Sequence, residues 1–312
     1  MLPLARYRFT FRMAAPLRLP DYAGSLLRGQ FGAALRRVSC MTGASTCDGC
    51  PLRATCPYPA IFEAPAPAAH AMQNFSHVPN PYVIEPPPFG TRFIDAGETL
   101  QFCIVLVGRA VDQLPLISFA LQRAVEGGLG KERARGTLES IEWQAGDEES
   151  SFVSVWQTGD AAIALHDARF EHTAPVIADS SIRLRVHTPL RLQHQGHPVR
   201  PQALTPRKLV ADLLRRTTLL AEFHADRPGL VADAPTLVRH AESLDHRPAL
   251  RWQDWSRYSS RQQQEMTLGG AIGDWTLHGD LAPLLPWLRL GQWLHVGKNA
   301  TMGMGCYTLH AA

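Results

Sequence analysis

The last twenty residues of the chain, Trp293–Ala312, have the sequence WLHVGKNATMGMGCYTLHAA. Two short apolar runs, Trp293–Val296 and Cys306–Leu309, flank a loop that contains three glycines, a lysine and two small hydrogen-bonding residues: Gly297, Lys298, Asn299, Thr301, Gly303 and Gly305. We interpret this stretch as a glycine-rich hairpin. Because glycine permits positive φ and close approach of a backbone, such a loop suits a bound anion, and Lys298 adds a charge. A plain turn closing a sheet has the same pattern, so the rest of the chain must decide.

The composition is that of a globular protein with a sizeable core. The chain has 312 residues and is 45% hydrophobic, which suits one large domain or two of about 150 residues. The net charge is only +3, so a polyanionic partner must meet a local basic patch. Lysine occurs only three times and the other basic residues are arginines. This bias suits bidentate contacts to phosphate and equally reflects a GC-rich genome.

The N-terminus and the apolar runs exclude two classes of protein. The start, MLPLARYRFTFRM, has arginines where a signal peptide needs an apolar core, and no run is long enough for a transmembrane helix. We therefore expect a cytoplasmic protein without a membrane partner, in which disulfides are disfavoured.

Four of the six cysteines lie within seventeen residues, with the spacing C-x6-C-x2-C-x5-C: Cys40, Cys47, Cys50 and Cys56. A C-x2-C pair can bind one tetrahedral metal, and two further thiolates complete an all-sulfur shell. The pattern predicts a structural zinc, and it is also compatible with an iron–sulfur cluster. An insertion that has lost its metal would have the same sequence.

Hydrophobic periodicity predicts strand, helix, strand, strand, helix, strand in the first half. Residues 4–13 alternate as a strand does, and 23–38 have apolar residues at helical spacing. The segment 57–93 is rich in proline, which we interpret as excluding helix, with at most a short or edge strand at 82–85. The remaining elements are strands at 98–107 and 136–143 and a helix at 114–125.

The second half repeats this order of elements after a change in charge. Segment 145–179 has seven acidic residues and one arginine, whereas 183–227 has nine arginines and lysines against three acids. The predicted elements are a strand at 181–192, helices at 206–224, 236–244 and 281–290, a strand pair at 250–258 and 264–277, and the terminal hairpin.

We therefore predict an α+β chain of two tandem ferredoxin-like (RRM-like) domains with a cysteine-rich insertion after the first helix. The N-terminal domain is 1–144, which includes the four-cysteine insert 40–57 and the proline-rich excursion 58–93. An acidic connector, 145–179, leads to the C-terminal domain, 180–312, which ends in the glycine-rich loop.

Three stretches resemble one protein family. They are LRGQFGAALRR in the first helix, DWSRYSSRQQQEMTLGG in the predicted strand pair and HVGKNATMGMGCYTL at the end. Together they resemble the CRISPR-associated precursor-crRNA processing endoribonucleases of the RAMP superfamily. The cysteine-rich insert, followed by PYPAIFE and PNPYVIEPP, is similar to one branch of that family.

The resemblance implies a protein that binds CRISPR repeat RNA and cuts the precursor into guide units. The family reaction needs no catalytic metal: the 2′-hydroxyl attacks the adjacent phosphate and leaves 2′,3′-cyclic phosphate and 5′-hydroxyl ends. On this interpretation any zinc is structural, the partner is repeat RNA or crRNA together with other CRISPR effector subunits, and no small-molecule substrate is expected. The RNA-binding residues implied are the six loop residues above and four basic residues: Arg207, Lys208, Arg257 and Arg261.

The catalytic residue is less well indicated. Many family members have a histidine near the end of the first helix, where this chain has Arg36-Arg37-Val38-Ser39-Cys40. Two histidines, His77 after the insert and His295 beside the loop, are candidates for the acid or base. In members without a catalytic histidine, arginine and tyrosine shape the site, and here the candidates are Arg28, Arg257 and Tyr258. A non-catalytic RAMP subunit that only binds guide RNA is the alternative function.

Overall fold

The computed structural model describes residues 2–65, 67, 78–90, 92–146, 151–168, 180–259 and 264–312. For residues 257–259 and 264–266 it describes the backbone alone. The described residues form two compact units. The N-terminal unit comprises Leu2–Phe170 and Leu219–Arg227, and the C-terminal unit comprises Glu171–Thr218 and Pro228–Ala312.

The described strands are β1 (Leu4–Met13), β2 (Leu17–Leu19), β3 (Tyr82–Glu85), β4 (Arg92–Ile94), β5 (Thr99–Val107), β6 (Gly136–Gln144), β7 (Phe152–Gln157), β8 (Ser181–Leu190), β9 (Gln193–His194), β10 (His197–Pro198), β11 (Asp245–Ser259), β12 (Gln264–His278) and β13 (Tyr307–Ala311). The helices are α1 (Gly24–Ser39), α2 (Pro57–Phe62), α3 (Leu114–Glu126), α4 (Pro206–Ala225), α5 (Ala234–Glu242) and α6 (Leu285–Leu294). None of these described helices is both long and apolar enough to cross a bilayer.

The N-terminal unit contains an antiparallel sheet with the strand order β3-β5-β1-β6-β7. Without the additional edge strand β7, the sheet has four strands, which occur in the sequence as β1, β3, β5 and β6. Helix α1 follows β1, and helix α3 follows β5. This is the ferredoxin-like arrangement that the sequence predicts. Strand β7 lies inside the segment that we interpreted as a connector, and the short pair β2–β4 was not predicted.

The core of this unit follows from the two periodicities. Alternate residues of β1, Tyr7, Phe9 and Phe11, are fully buried, and Phe11 stacks on Phe102 of β5 with ring centroids 5.8 Å apart. Residue Phe31 of α1 is also fully buried and meets Tyr82 of β3 edge-on at 5.4 Å. Burial of each such aromatic side chain stabilises the fold by about 1.5–3 kcal/mol.

The opposite face of β1 carries arginines that are paired with acids on β3 and β6 of the same sheet. Arg6 bonds Glu85 at 2.9 Å, Arg8 bonds Glu142 at 2.8 Å, and Arg12 bonds Glu139 at 2.8 Å. Because each positive charge has a carboxylate beside it, these three pairs add little net charge to the sheet.

The prediction that prolines exclude helix from 57–93 is wrong at its start, since Pro57–Phe62 form helix α2. The prolines stand at the first and third helical positions, where a backbone N–H has no intrahelical acceptor to lose. The short helix buries Tyr58 and Ile61. The predicted edge strand at 82–85 is confirmed as β3, which pairs with β5 alone.

The C-terminal unit contains a second antiparallel sheet, with the order β11-β12-β8-β13. The strands β8, β11, β12 and β13 occur in the same sequence order and positions as β1, β3, β5 and β6 of the first sheet. Strands β11 and β12 pair over fifteen residues each, from Asp245↔His278 to Ser259↔Gln264. Trp275 of β12, Leu213 of α4 and Leu288 of α6 are completely buried in its core. The tandem ferredoxin-like prediction is confirmed.

The predicted terminal hairpin is wrong. Trp293 and Leu294 are the last residues of α6, and the glycine-rich loop connects that helix to β13, which pairs with β8. Buried positions recur at helical spacing through Leu284, Leu288, Gly291 and His295. A four-residue apolar run such as 293–296 is too short to distinguish strand from helix by its pattern.

Candidate nucleic-acid interface

The glycine-rich loop turns by means of four residues with positive φ: Gly297 (89°), Asn299 (64°), Gly303 (85°) and Gly305 (73°). Between them, Ala300–Met302 form one 3₁₀ turn. Three of the four positions are glycines because an L side chain is strained in this conformation. Asparagine is among the residues that tolerate it best.

Two of these glycines are also needed because other backbone groups lie against them. A Cβ on Gly297 would lie 2.6 Å from the carbonyl oxygen of Arg191, and one on Gly305 would collide with the carbonyl oxygen of Val296. The loop is therefore packed tightly against Arg191, which follows β8, and against Val296, the second residue after α6.

Backbone hydrogen bonds hold the loop in the same place. The N–H of Lys298 donates to Arg191 O at 2.9 Å, and the N–H of Gly305 donates to Pro189 O at 3.2 Å. The Thr188 hydroxyl donates to Gly303 O at 2.7 Å. The conformation of the loop is thus set by the protein's own contacts.

These contacts revise the role that we predicted for the glycines. Gly303 and Gly305 are buried, and their N–H groups donate to Ala300 O and Pro189 O, so they are not available to a phosphate. The surface of the loop is formed by Lys298, which is exposed, and by Gly297, Asn299 and Thr301, which are half-buried.

Two cations of helix α4 act on the same carboxylate as Lys298 of the loop. The Lys208 ammonium bonds the Asp212 carboxylate at 2.9 Å. Burial raises the pKa of Asp212, while the charges of Lys208, Arg215 and Lys298 oppose that rise. Three cations therefore act on one carboxylate, which leaves a local positive surplus of the kind that binds phosphate. The structure brings Lys208 and Lys298 together, whereas the predicted contact Arg207 forms an ion pair with Glu242.

A second basic group consists of Arg191, whose carbonyl oxygen accepts the Lys298 N–H, and Arg200. Arg191 is half-buried and donates from Nη1 to Gly269 O at 2.8 Å. Burial and the charge of Arg200 lower the pKa of Arg191, and Asp254 opposes them. The guanidinium of Arg200 stacks on the indole of Trp252 at 4.1 Å from its centroid. We did not single out these residues from the sequence, although both arginines belong to the basic surplus of 183–227.

The predicted catalytic residues have different surroundings. Arg28 on α1 stacks on the Phe62 ring at 4.4 Å. Burial raises the pKa of the adjacent Tyr82 phenol to about 12, and the Arg28 charge opposes this. His295 is only 1% exposed and ends α6 with φ 55°. Its imidazole lies in the interior, where a bound phosphodiester would not reach it.

Four other predicted site residues are described only in part or not at all. His77 and Arg261 lie outside the described residues. For Arg257 and Tyr258 the backbone forms part of β11, next to Met266 and Glu265 of β12, and their side chains are not described.

The four-cysteine segment follows α1 and has almost no apolar core of its own. Met41 is 88% exposed and Leu52 is 39% exposed. The segment is fastened by Arg36, which donates to the carbonyl oxygens of Ala44 and Ser45. Two tight turns place Gly43 and Gly49 at positive φ.

The thiols of this segment have the chemistry of a metal site. All four are free, and the Thr42 hydroxyl contacts the sulfurs of both Cys40 and Cys50, at 3.8 and 3.7 Å. Hydrogen bonds from the Thr42 hydroxyl and the Gly43 N–H lower the pKa of Cys40, which favours the thiolate. No three His, Cys, Asp or Glu side chains in the described ranges are close enough together to hold a metal ion as they stand. The donor set fits zinc, and metal binding stays a prediction.

Comparisons with known proteins agree with this architecture. The family described as AF_1859_N, N-terminal domain, matches residues 2–168, and the family described as CRISPR-associated endoribonuclease Cas6 matches residues 184–307. No curated protein matches the chain.

Solved structures with the same fold include Cas6 proteins of low sequence identity. The chain is 16% identical to Thermus thermophilus Cas6 (TTHB231), over 99% of both chains, with a TM-score of 0.54. For the Cas6 (TTHB231) product complex the identity is 16%, over 98% of this chain and 99% of the other, with a TM-score of 0.59. A chain of a partial Cas6-RT-Cas1–Cas2 complex is 17% identical, over 100% of this chain and 46% of its own length, with a TM-score of 0.57.

At these identities the solved structures show the fold, while the two family models cover most of the sequence between them. The AF_1859_N model covers more than half of the chain, which therefore belongs to that family, and residues 184–307 match the model of the CRISPR-associated endoribonuclease Cas6.

Proposed function

We propose that this protein binds the repeat RNA of a CRISPR precursor transcript and cleaves it at one site to release guide units. The observation that carries the proposal is the exposed Lys298 on a rigid loop, beside Lys208 and Arg215 of α4. A cation held in place by backbone hydrogen bonds binds phosphate without first losing loop entropy. The match of residues 184–307 to the Cas6 endoribonuclease family model supports RNA as the polyanion.

The proposed reaction is a transesterification within the RNA. The 2′-oxygen next to the scissile phosphate forms a new bond to phosphorus and loses its proton to a base, while the bond to the 5′-oxygen breaks and that oxygen gains a proton. The products are a 2′,3′-cyclic phosphate and a 5′-hydroxyl. Because the substrate supplies its own nucleophile, the step needs no metal-bound water.

Arg28 is the described residue best suited to the charge that develops at phosphorus. Its guanidinium is held against Phe62 and next to Tyr82, so its position is fixed before substrate arrives. An arginine stays protonated, so it would stabilise the phosphorane and would not shuttle a proton. The candidates for the acid and the base are His77 and Tyr258. We do not assign that role to His295, because its side chain is buried.

We also propose that Cys40, Cys47, Cys50 and Cys56 bind one structural zinc ion. The support is the four-thiol composition of a segment whose large apolar side chains are exposed, so that a staple is needed to order it. The zinc would have no part in the cleavage step.

The test of function is incubation of the purified protein with its own repeat RNA in excess EDTA. We expect a single cut with a cyclic phosphate on the 5′ fragment, and no cut when the nucleotide before the scissile bond is 2′-deoxy. Tight binding without any cut would instead identify a non-catalytic RAMP subunit, the alternative that burial of His295 favours. Cleavage that requires a divalent ion would overturn the proposed chemistry.

A further inference from the structure

The indole of Trp252 on β11 packs over Gly269 of the neighbouring strand β12. A Cβ on Gly269 would lie 2.5 Å from the indole Nε1 and 2.7 Å from Cε2, so the ring fills the space above that glycine. The indole N–H donates to Asp254 Oδ1 at 2.7 Å. The packing on Gly269 and this hydrogen bond hold the indole in place.

The guanidinium of Arg200 lies over this indole ring. Its guanidinium carbon is 4.1 Å from the ring centroid, the distance of a favourable cation–π contact. The backbone on both sides is also held, because Val199 N donates to Leu192 O and Ala203 N donates to Arg200 O, both at 2.9 Å. Arg200 is exposed to solvent while its guanidinium lies over the ring.

The charges around this stack are not balanced. The charge of Arg200 acts on Arg191, and the acid that acts on Arg191 is Asp254, which already accepts the Trp252 indole N–H. The Lys298 backbone is bonded to Arg191 O, so the cationic loop adjoins the same group. Like charges held together on a rigid surface favour an anionic ligand.

We propose that Arg200, stacked on Trp252, is a platform for one unpaired base of the bound RNA, with Arg191 and Lys298 attracting the phosphate next to it. A base can stack on the outer face of a guanidinium plane, and arginine is used in this way for single-stranded RNA. The platform lies beside the glycine-rich loop, so it would fix the nucleotide that enters or leaves that loop. This inference rests on the proposed RNA-binding function.

Three variants and repeat RNA test the platform. Arg200→Lys keeps the charge but removes the planar group, and Trp252→Leu keeps the charge but removes the support. Arg239→Lys is the control, since Arg239 is an exposed arginine on α5 of the same unit. Dissociation constants would be measured by fluorescence anisotropy at several salt concentrations, and circular dichroism melting would check the fold of Trp252→Leu.

We expect Arg200→Lys and Trp252→Leu each to weaken RNA binding about tenfold with an unchanged salt slope, because no charge is lost. The double variant should lose no more than the larger single loss, since both changes remove one platform. Inorganic polyphosphate, which has no bases, should bind the wild type and Arg200→Lys equally.

The outcomes separate this inference from the proposed function. If Arg200→Lys binds RNA as tightly as Arg239→Lys does, the platform is overturned, while binding by the wild type would keep the proposed function. An equal loss of polyphosphate affinity would also overturn it, because that result indicates a phosphate contact. If the wild type does not bind repeat RNA at all, both proposals fail.

Discussion

The backbone N–H of Lys298 donates to the carbonyl oxygen of Arg191 at 2.9 Å, which fastens the glycine-rich loop to the residue following strand β8. This bond gives the loop's exposed lysine a fixed position without using its side chain. The backbone of Lys298 is thus held by the fold, while the residue stays exposed at the surface.

Replacement of Lys298 by alanine should weaken binding of repeat RNA and lower its dependence on salt. One lost phosphate contact reduces the slope of log K against log[salt] by about one. Anisotropy titrations over a range of salt concentrations measure both quantities. Lys131→Ala, which removes an exposed lysine of the N-terminal unit, is the control. An unchanged slope in Lys298→Ala would exclude a phosphate contact by this side chain.

Replacement of Gly305 by alanine should destabilise the protein strongly. The new Cβ would collide with Val296 O and the residue would keep a φ of 73°, and a strained backbone position of this kind costs about 1–3 kcal/mol before the collision is counted. Thermal or urea unfolding measures the change. The control is Gly29→Ala, at an exposed position of α1 where no neighbouring atom lies within 4 Å of the new Cβ. That variant should be more stable than the wild type by about 0.5–1 kcal/mol, and equal stability of the two variants would contradict the packing described for the loop.

Replacement of Asp212 by asparagine should strengthen RNA binding at low salt. The change removes a carboxylate on which Lys208, Arg215 and Lys298 all act, and the amide has nearly the same shape. We expect affinity to rise about two- to fivefold, with a larger gain at lower ionic strength because less screening then occurs. Asp245→Asn, which removes an exposed carboxylate at the start of β11, serves as the comparison. Equal effects of the two changes would show that only net charge matters.

The four-cysteine segment should contain about one zinc per chain. Metal analysis of the purified protein measures this, and a visible absorption band would indicate an iron–sulfur cluster instead. The Cys47→Ser/Cys50→Ser double variant should lose the metal, whereas Cys103→Ser, in strand β5, should keep it. A chelator should then make four cysteines of the wild type reactive towards alkylation. Wild-type protein that is free of metal after anaerobic purification would rule the site out.

The buried phenol of Tyr82 should contribute to loss of stability in alkaline solution. Burial raises its pKa from 10.0 to about 12 in the folded protein, so the unfolded chain releases this proton first as pH rises. The free energy of unfolding therefore falls between pH 10 and 12, by about 2–3 kcal/mol from this group. Urea unfolding of Tyr82→Phe should show a shallower decline over that range than the wild type does. Parallel declines would contradict the assignment to Tyr82.

The sequence predicts the fold better than it predicts the site. Strand β1 has its predicted bounds because its residues alternate between core and solvent, a pattern that local sequence contains. The end of α6 and the start of the loop were mistaken for a strand, because four apolar residues fit either period. Helix α2 was missed, because proline is tolerated in the first turn although it breaks a helix interior.

Within the candidate interface, the sequence indicates which residue types are present but not how they are grouped. We predicted six loop residues as RNA contacts. Only those on the surface of the loop, the exposed Lys298 and the half-buried Gly297, Asn299 and Thr301, remain available to RNA. The stack of Arg200 on Trp252 was not predicted, because these residues are far apart in sequence and no periodic pattern connects them.

The sequence by itself determined most of the order of strands and helices, the tandem ferredoxin-like class and the likeness to CRISPR processing endoribonucleases, because periodicity and motifs are local. Only the tertiary structure decided which glycines face solvent and which close against a backbone, as Gly297 does against Arg191. It also decided that Lys208 and Lys298 act on the same carboxylate. Those relationships arise when distant segments meet in one core, and the free energy of that packing is not a property of any one segment.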